Sequence, residues 1–293
     1  MRYDLTSLDV FIAVAETLNL THAANLRHLA ISAVSKRISE LEELAGAPLL
    51  IRRARGVELT PAGQSLLYYA RQVRQTLQNL DAELGEFAEG IKGHIRIHAI
   101  TSAISQFLPK DVTDFAELYP LIRFDIEERV GTDVVRAVAE GRADLGIIAS
   151  QTAPQGLQTL PYRSDELVLV VPDGHALASS TSARFSEVLE HEMVGPHRES
   201  SVYGLLTREA EALGMPLKLR IRISSFDCIC RMAAAGMGVA VLPRSVVKPY
   251  QRSLKLKIVR LDESWAARDL QLILQSYDAA APTLRTFIDS VRA

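Results

Sequence analysis

The sequence predicts a mixed fold: a small all-α N-terminal part that carries a helix-turn-helix and a two-stranded basic turn, one long helix, and a larger C-terminal α/β part. Three observations carry this prediction. Residues 21–42, THAANLRHLAISAVSKRISELE, read as two short helices joined by a tight connection. From Leu66 to Phe87 apolar residues recur at spacings of four and three without a break. From His94 onward the periodicity changes to alternation and short apolar runs separated by helical patterns, and strand alternating with helix means crossover units and largely parallel sheets.

The first helix is expected to open at a capping box, Thr6 followed three residues later by Asp9, and to present Leu8, Phe11, Ile12 and Ala15 at helical spacing. A second helix opens at Thr21, whose hydroxyl suits a helix start, and its small pair Ala23 and Ala24 lets another helix approach closely. The third carries Val34, Ile38 and Leu41 on one side and leaves Ser32, Ser35, Lys36 and Ser39 elsewhere, with Arg37 beside them. Such a face suits a DNA groove, because Lys and Arg neutralise phosphates and small hydroxyls bond to base edges or backbone. Gly46 ends this helix. A short two-stranded turn follows, Leu49 to Leu59, tipped by Arg52, Arg53 and Arg55. Arginines so crowded call for anionic groups opposite, and the phosphates flanking a minor groove supply them.

Thr60 and then Pro61 make a good helix opening, since Pro is pre-set for the first turn. Along that helix Leu66, Ala70, Val73, Leu77, Leu80, Leu84 and Phe87 form a seam that needs a partner, most economically the same helix of a second subunit, over a rod of ~45 Å at 1.5 Å per residue, with packing on the chain's own body as the alternative. Beyond it, strands are expected at 95–99, 122–126, 145–149, 167–171, 193–195, 219–223, 239–242, 256–259 and 270–274. Helices are expected at 104–118, 133–139, 203–213, 226–235 and 281–291.

Composition narrows the class. The 293 residues are 48% hydrophobic and 23% charged, which excludes disordered and fibrous chains. Net charge is −2, and the first sixty residues hold seven basic and seven acidic side chains, so DNA binding must rest on placement rather than bulk charge. The two cysteines, Cys228 and Cys230, cannot be a disulfide framework at that spacing, and a reducing cytoplasm is the natural compartment. No export signal or bilayer-spanning apolar run is evident, so no membrane association is expected.

The run SAVSKRISELE, the upstream Thr21 and Ala23-Ala24, and the downstream GAPLLIRRARGVELTPAG at 46–63 together resemble the amino-terminal winged helix-turn-helix of the LysR-type transcriptional regulators. Where that family usually has Ser or Thr and then Gln at the start of the recognition helix, this chain has Ala30 and Ile31, which leaves Ser32 as the available cap. Arg27 stands where the family often has an apolar residue. The stretches GHIRIHA at 93–99, EGRADLGI at 140–147, DELVLVVPDGHAL at 165–177 and AAGMGVAVLP at 234–243 resemble the effector domain of the same family, two α/β subdomains with a cleft between them, like a periplasmic solute-binding protein.

The resemblance implies a DNA-binding domain at 1–60, a linker and dimerisation helix at 61–91 and an effector-binding domain at 92–293. Within the last, 92–161 with 267–293 would form one subdomain and 162–266 the other, with strand crossings near Pro161 and Trp265. It further implies double-stranded DNA as partner, contacted by Thr21, Ser32, Ala33, Val34, Ser35, Lys36 and Arg37 and by Arg52, Arg53 and Arg55. A homodimer assembling to a homotetramer, modulation by a small molecule, and no enzymatic activity, cofactor or metal complete the expectation.

Polar residues cluster where strands end and helices begin: Thr101 and Ser102, Thr132, Ser200 and Ser201, and Ser224 and Ser225 before Phe226. Ligands of open α/β sheets bind beyond the carboxyl ends of strands, against helix amino ends, and hydroxyls with free amides favour an anion. Each residue alone is first of all a helix cap. In the family the corresponding segments line the effector cleft, so a small organic carboxylate is expected there.

Other patterns carry less. Gly236-Met237-Gly238 follows a helix and precedes a strand, the reverse of a dinucleotide loop. His94 and His98 share the polar side of a strand but lack a third ligand nearby. Cys228 and Cys230 diverge on a helix and act as small apolar residues. An alternative class, a solute-binding or enzymatic α/β protein with an accessory helical domain, lacks an export signal and a Gly-x-Ser-x-Gly elbow, and leaves the arginine turn without a purpose.

Overall fold

The computed structural model describes residues 3–53, 56–89, 93–152, 154 and 156–292, with the backbone alone at 78, 79 and 81–89. Two compact units emerge, Met1–Gly90 with Glu140–Arg142, and Ile91–Ala139 with Ala143–Ala293.

The first unit begins with α1 (Leu5–Thr17), α2 (Leu20–Leu26) and α3 (Ile31–Ala45). Asp4 caps α1, its carboxylate accepting from the Ser7 amide at 2.9 Å. The helix therefore starts before Thr6, and the expected Thr6/Asp9 box does not form. Hydrogen bonds from Ser7 and the nearby Arg37 hold the Asp4 carboxyl below its ordinary range. Asn19 caps α2 by accepting from the Thr21 and His22 amides at 2.9 and 3.1 Å, so Thr21 lies in the first turn rather than at the cap. Ala30 stands at the N-cap of α3 without a side-chain bond, and Ser32, already inside the helix, does not replace one. Val34, Ile38 and Leu41 face a core shared with Phe11, Ile12, Ala23 and Ala24, the stripe that the spacing predicts.

The turn after α3 is an antiparallel pair, β1 (Leu50–Arg53) and β2 (Gly56–Leu59), with Arg53 opposite Gly56. Glu42 anchors it to α3, one carboxylate oxygen accepting from the Leu49 and Leu50 amides at 2.8 and 3.2 Å. Gly56 has φ +117°, and a Cβ there would lie 2.5 Å from the Leu18 carbonyl oxygen, so only glycine fits. Then α4 (Pro61–Glu89) begins with Thr60 Oγ1 accepting from the Gly63 amide at 3.0 Å.

The seam expectation needs correcting for the first half of α4. Ala70 is 2% exposed and Leu66 and Val73 pack beside it in the core of this unit, because this part of α4 lies against α1. The chain itself covers that part of the stripe. Leu77 and Leu80 are exposed in the single chain, and the side chains of Leu84 and Phe87 lie outside the described residues.

The second unit runs β3 (Gly93–Ala99), α5 (Thr101–Gln106), α6 (Leu108–Leu118), β4 (Ile122–Glu128), α7 (Gly131–Ala139), β5 (Leu145–Ala149), β6 (Gln158–Pro172), β7 (Ser182–Ala183), α8 (Phe185–Val188) and β8 (Met193–Gly195). It continues through α9 (Ser201–Ala212), β9 (Leu219–Arg222), α10 (Phe226–Ala234), β10 (Ala240–Pro243), α11 (Arg244–Val247), β11 (Leu256–Leu261), β12 (Ala267–Leu274) and α12 (Pro282–Arg292). The helix expected over 104–118 is two helices, interrupted at Phe107 ahead of Pro109, whose ring and missing amide disfavour an unbroken helix.

The sheet is mixed rather than largely parallel. Its order is β4-β3-β5-β12-β6-β11-β7, with β10 also on β6, while β8 and β9 form a separate parallel pair. Only β3 with β4 and β5, β11 with β7, and β8 with β9 run parallel among the described strands. The cause is β6, a single strand of 15 residues that passes from one hydrophobic core to another. The chain returns beside it in β12, and a strand that returns beside the outgoing one is antiparallel: Ala267 pairs with Glu166 and Leu274 with Gln158.

One core gathers Ile95, Ile97, Phe115, Tyr162, Leu270 and Phe287; the other gathers Leu167, Val168, Phe185, Phe226, Val241 and Ala266. Each fully buried Leu, Ile or Phe contributes about 1.5–3 kcal/mol of transfer free energy. The change from one core to the other falls at 163–166 on β6 and 267–269 on β12, a few residues beyond Pro161 and Trp265. No helix among the described residues is long and apolar enough to cross a membrane.

Because Ala70 sits in a closed core of its own unit, Ala70→Leu should overpack it and lower stability by about 1–3 kcal/mol. Urea denaturation should show the same loss at low and high protein concentration. A loss that grows on dilution would place Ala70 in a subunit interface instead.

Candidate DNA-binding and effector-binding sites

In the first unit, exposed polar side chains gather at the start of α3 and on the two-stranded turn. Ser32, Lys36, Arg52 and Arg53 are exposed and Ser35 is half-buried. Arg52 reaches toward the Ser35 hydroxyl at 3.4 Å, so helix and turn present one surface. Lys36 lies 3.8 Å from Glu40, and Arg53 pairs with Glu58 at 3.0 Å; both are exposed pairs that constrain the cations little.

Several expected DNA contacts fall elsewhere. Val34 is 0% exposed and cannot touch DNA, since it belongs to the apolar stripe that docks α3. Arg37 turns back toward α1, donating to the Ser7 hydroxyl at 3.0 Å and lying 3.5 Å from Asp4. Ala33 is half-buried, Thr21 is exposed in the first turn of α2, and Arg55 lies outside the described residues. Arg27 finds a partner in Asp9 at 2.6 Å, which accounts for a charged side chain where α2 ends.

In the second unit, cavities open between the two cores. One of about 290 Å³ is lined by Thr101, Ser102, Ser200 and Ser201 together with Glu128 and Glu199. A second of about 400 Å³ shares Thr101 and Glu128 and adds Ser225, Phe226 and Tyr250. The structure thus brings together six of the seven expected effector residues. Thr132 lines neither cavity, although its neighbours Val130 and Asp133 line the first. Ser200 and Ser225 are also caps, accepting from the Val202 and Cys228 amides at 3.3 and 3.4 Å, and the Phe226 ring anchors α10 in the core.

Sequence reasoning missed Glu128, Arg129, His197 and Glu199. Glu128 ends β4, so the rule that ligands bind beyond the carboxyl ends of strands applies to it as much as to Thr101. Nothing in the sequence signals the group beneath the cavity. Asp165 and Arg268 face each other across the β6–β12 ladder with side chains 1% exposed, Arg268 Nε donating to Asp165 Oδ1 at 2.8 Å and Nη2 to Oδ2. The same Nη2 donates to Ser102 Oγ at 3.3 Å. Gln106, from α5 in the first core, donates to Asp165 at 3.0 Å and accepts from the Ser245 hydroxyl of α11. Ser164 donates to Asp269 at 2.7 Å, and Glu166 pairs with Arg244 at 2.5 Å, so polar bonds hold both crossing strands on either side of the buried pair.

The remaining motifs are structural. Asp144 of the EGRADLGI stretch binds Arg96 of GHIRIHA at 2.7 Å and accepts the Arg96 amide at 2.8 Å, tying β5 to β3. Gly238 has φ +150° and lies against the Glu192 carbonyl, where a Cβ would come within 2.7 Å, so the Gly-Met-Gly run serves a tight backbone approach. His98 is buried beside Glu127 at 3.6 Å while His94 is exposed, and no described group of three or more His, Cys, Asp or Glu is placed to hold a metal ion. Burial pushes the Cys230 thiol up to about 11, which keeps it protonated and unreactive near neutrality.

A helix-turn-helix with a basic two-stranded turn, joined to a two-core α/β unit with polar cavities between the cores, defines a DNA-binding regulator that carries a small-molecule domain. Residues 88–293 match the family described as LysR substrate binding domain, and 5–64 match the bacterial regulatory helix-turn-helix protein, lysR family. This chain belongs to the LysR family of DNA-binding transcriptional regulators, whose members pair such a domain with an effector-binding domain. Among curated relatives, the HTH-type transcriptional regulator CysL of Bacillus subtilis is 28% identical over 93% of this chain and 91% of its own length. An HTH-type transcriptional regulator of Mycobacterium tuberculosis, MT2340, is 30% identical over 83% of this chain and 81% of its own. Two solved structures share the fold. Full-length OxyR from Pseudomonas aeruginosa, in a variant with one cysteine replaced by aspartate, has a TM-score of 0.77 at 20% identity, covering 99% of this chain and 95% of that one. CbnR complexed with its target DNA has a TM-score of 0.67 at 18% identity, covering 99% of each.

The buried pair yields a stability test. Arg268→Met alone leaves Asp165 charged and without its main partner and should cost about 3–5 kcal/mol, whereas adding Asp165→Leu should recover most of that loss. Urea denaturation of both variants checks it; a double variant no more stable than the single one would mean that Asp165 is not stranded by the first change.

Proposed function

We propose that this LysR-family regulator reads DNA with the exposed start of α3 and the arginine turn, and answers to a small carboxylate bound between the two cores of its effector-binding domain. The observation that carries the first half is the single surface formed by Ser32, Ser35, Lys36 and Arg52, with Arg52 reaching across to Ser35. Lys36 and Arg52 contact phosphates, while the serine hydroxyls reach bases or backbone. Ile31, exposed at the first turn of α3, offers only an apolar contact such as a thymine methyl.

Leu77 and Leu80, uncovered on α4, fit a homodimer in which a second copy of this helix packs against them, and dimers of this kind pair into tetramers. Two DNA-binding units then meet two half-sites. The carboxylate reading is supported by Ser102, Ser200 and Ser201 around one cavity, with Ser200 and Ser201 at the amino end of α9, where the helix dipole and the first-turn amides other than that of Val202, which Ser200 caps, favour negative charge.

Replacing Lys36 or Arg52 by Ala should weaken binding across DNA sequences and reduce the slope of log affinity against log salt by about one unit each. A fluorescence-anisotropy salt titration on DNA from beside the gene checks this. Unchanged affinity and slope in both variants would remove these two residues from the interface.

A further inference from the structure

The cavity that holds Ser102 has two poles of opposite character, and a simple carboxylate answers only one. At the first, Arg268 Nη2 donates to Ser102 Oγ at 3.3 Å. Ser102 then offers its proton, and no described acceptor takes it. Arg268 is 1% exposed at its side chain, and its Nη1 is buried without a hydrogen-bond partner among the described residues. Asp165 balances the guanidinium charge and Arg268 lies behind Ser102 without lining the cavity, so this pole presents the Ser102 hydroxyl rather than net charge. Ser200 and Ser201, at the amino end of the 12-residue α9, add donors to the same cavity.

At the second pole stands Glu128. It accepts from the Thr101 hydroxyl at 2.6 Å and makes no ion pair among the described residues. Glu199 lines the same cavity and likewise has no ion-pair partner among them. Of the other ionisable groups here, Asp133 is matched with Arg136 at 3.3 Å and Arg129 with Glu127 at 2.5 Å, and His197 is the remaining one. A ligand carrying only a carboxylate would share a small cavity with these two carboxylates and be repelled.

Thr101 and Ser102 are consecutive, and consecutive Cα atoms lie about 3.8 Å apart. One residue touches the acidic pole and the next the donor pole. Both are within reach of one small molecule whose ammonium and carboxylate are attached to one carbon.

We infer that the effector is a zwitterion of amino-acid type, its carboxylate accepting from Ser102 and the first amides of α9 and its ammonium set against Glu128. This rests on the cleft being the effector site, as proposed above. It assigns Glu128 as the residue that separates amino acids from plain carboxylic acids.

The test is calorimetry on the full chain with the proteinogenic L-amino acids, the deaminated acid and the decarboxylated amine of each, using native, Glu128→Gln and Ser102→Leu protein. At least one amino acid should bind, about tenfold or more tighter than its acid and its amine. Glu128→Gln, at an exposed position, should lose about tenfold for that amino acid and bind the acid no more weakly, and somewhat more tightly, because it removes a repelling charge. Ser102→Leu should lose both ligands; Ser102→Ala, with a severalfold loss, replaces it if circular dichroism shows the Leu variant unfolded. An acid that binds as tightly as its amino acid, with Glu128→Gln indifferent, overturns the zwitterion and leaves the cleft standing. Tighter binding of the amine overturns the carboxylate pole. Binding undiminished in the Ser102 variants, or no binding across the panel, overturns the cleft assignment and the inference with it.

Discussion

The effector-binding unit depends on one buried ion pair. Taking Asp165 and Arg268 out of water is expensive, and their attraction offsets that only because the fork geometry is kept and Gln106 and Ser102 bond Asp165 Oδ2 and Arg268 Nη2 from outside the pair, leaving Arg268 Nη1 without a partner among the described residues. A pair that is destabilising when half-made is well suited to hold two strands in register. Ser164 with Asp269 and Glu166 with Arg244 continue the polar ladder, so two hydrophobic cores are joined by a polar seam. Ser102 belongs both to that seam and to the cavity wall, which connects whatever occupies the cavity to the strands that join the cores.

In the DNA-binding unit the corresponding constraint is hydrophobic. Val34, Ile38 and Leu41 fix which side of α3 is buried, and that decides which residues remain to meet DNA. Arg37 illustrates the consequence: two residues on from Ser35, it points back to Ser7 and Asp4. Glu42 holds the arginine turn against α3 through two backbone amides, so placement of the cations is set by the core and not by net charge.

Much of this was legible in the sequence where a local period or a turn residue dictates structure. The α3 stripe, the Thr60-Pro61 opening, and strands such as 145–149 and 193–195 follow from spacing and flanking breakers alone. What failed depended on distant residues. A carboxylate at position 4 displaced a capping box at Thr6 and Asp9, and Asn19 displaced Thr21, because several side chains can cap the same helix and only geometry selects one. The α4 spacing did not reveal that Leu66, Ala70 and Val73 are covered by their own chain. Parallel sheets were expected from alternation of strand and helix, but the antiparallel return of β12 beside β6 depends on a pairing across more than a hundred residues. The cavity serines were legible because strand ends and helix starts are local signals. Asp165 and Arg268 were not, since nothing in either neighbourhood announces the other.

Amide hydrogen exchange on the full-length chain tests most directly whether the buried pair is what joins the two cores. If it is, amides at 163–166 and 267–270 exchange as slowly as those of the flanking core strands, and Gln106→Ala, which removes one bond to Asp165, quickens exchange in both segments together while leaving 219–222 unchanged. Rapid exchange at 163–166 and 267–270 in the unaltered chain would contradict it.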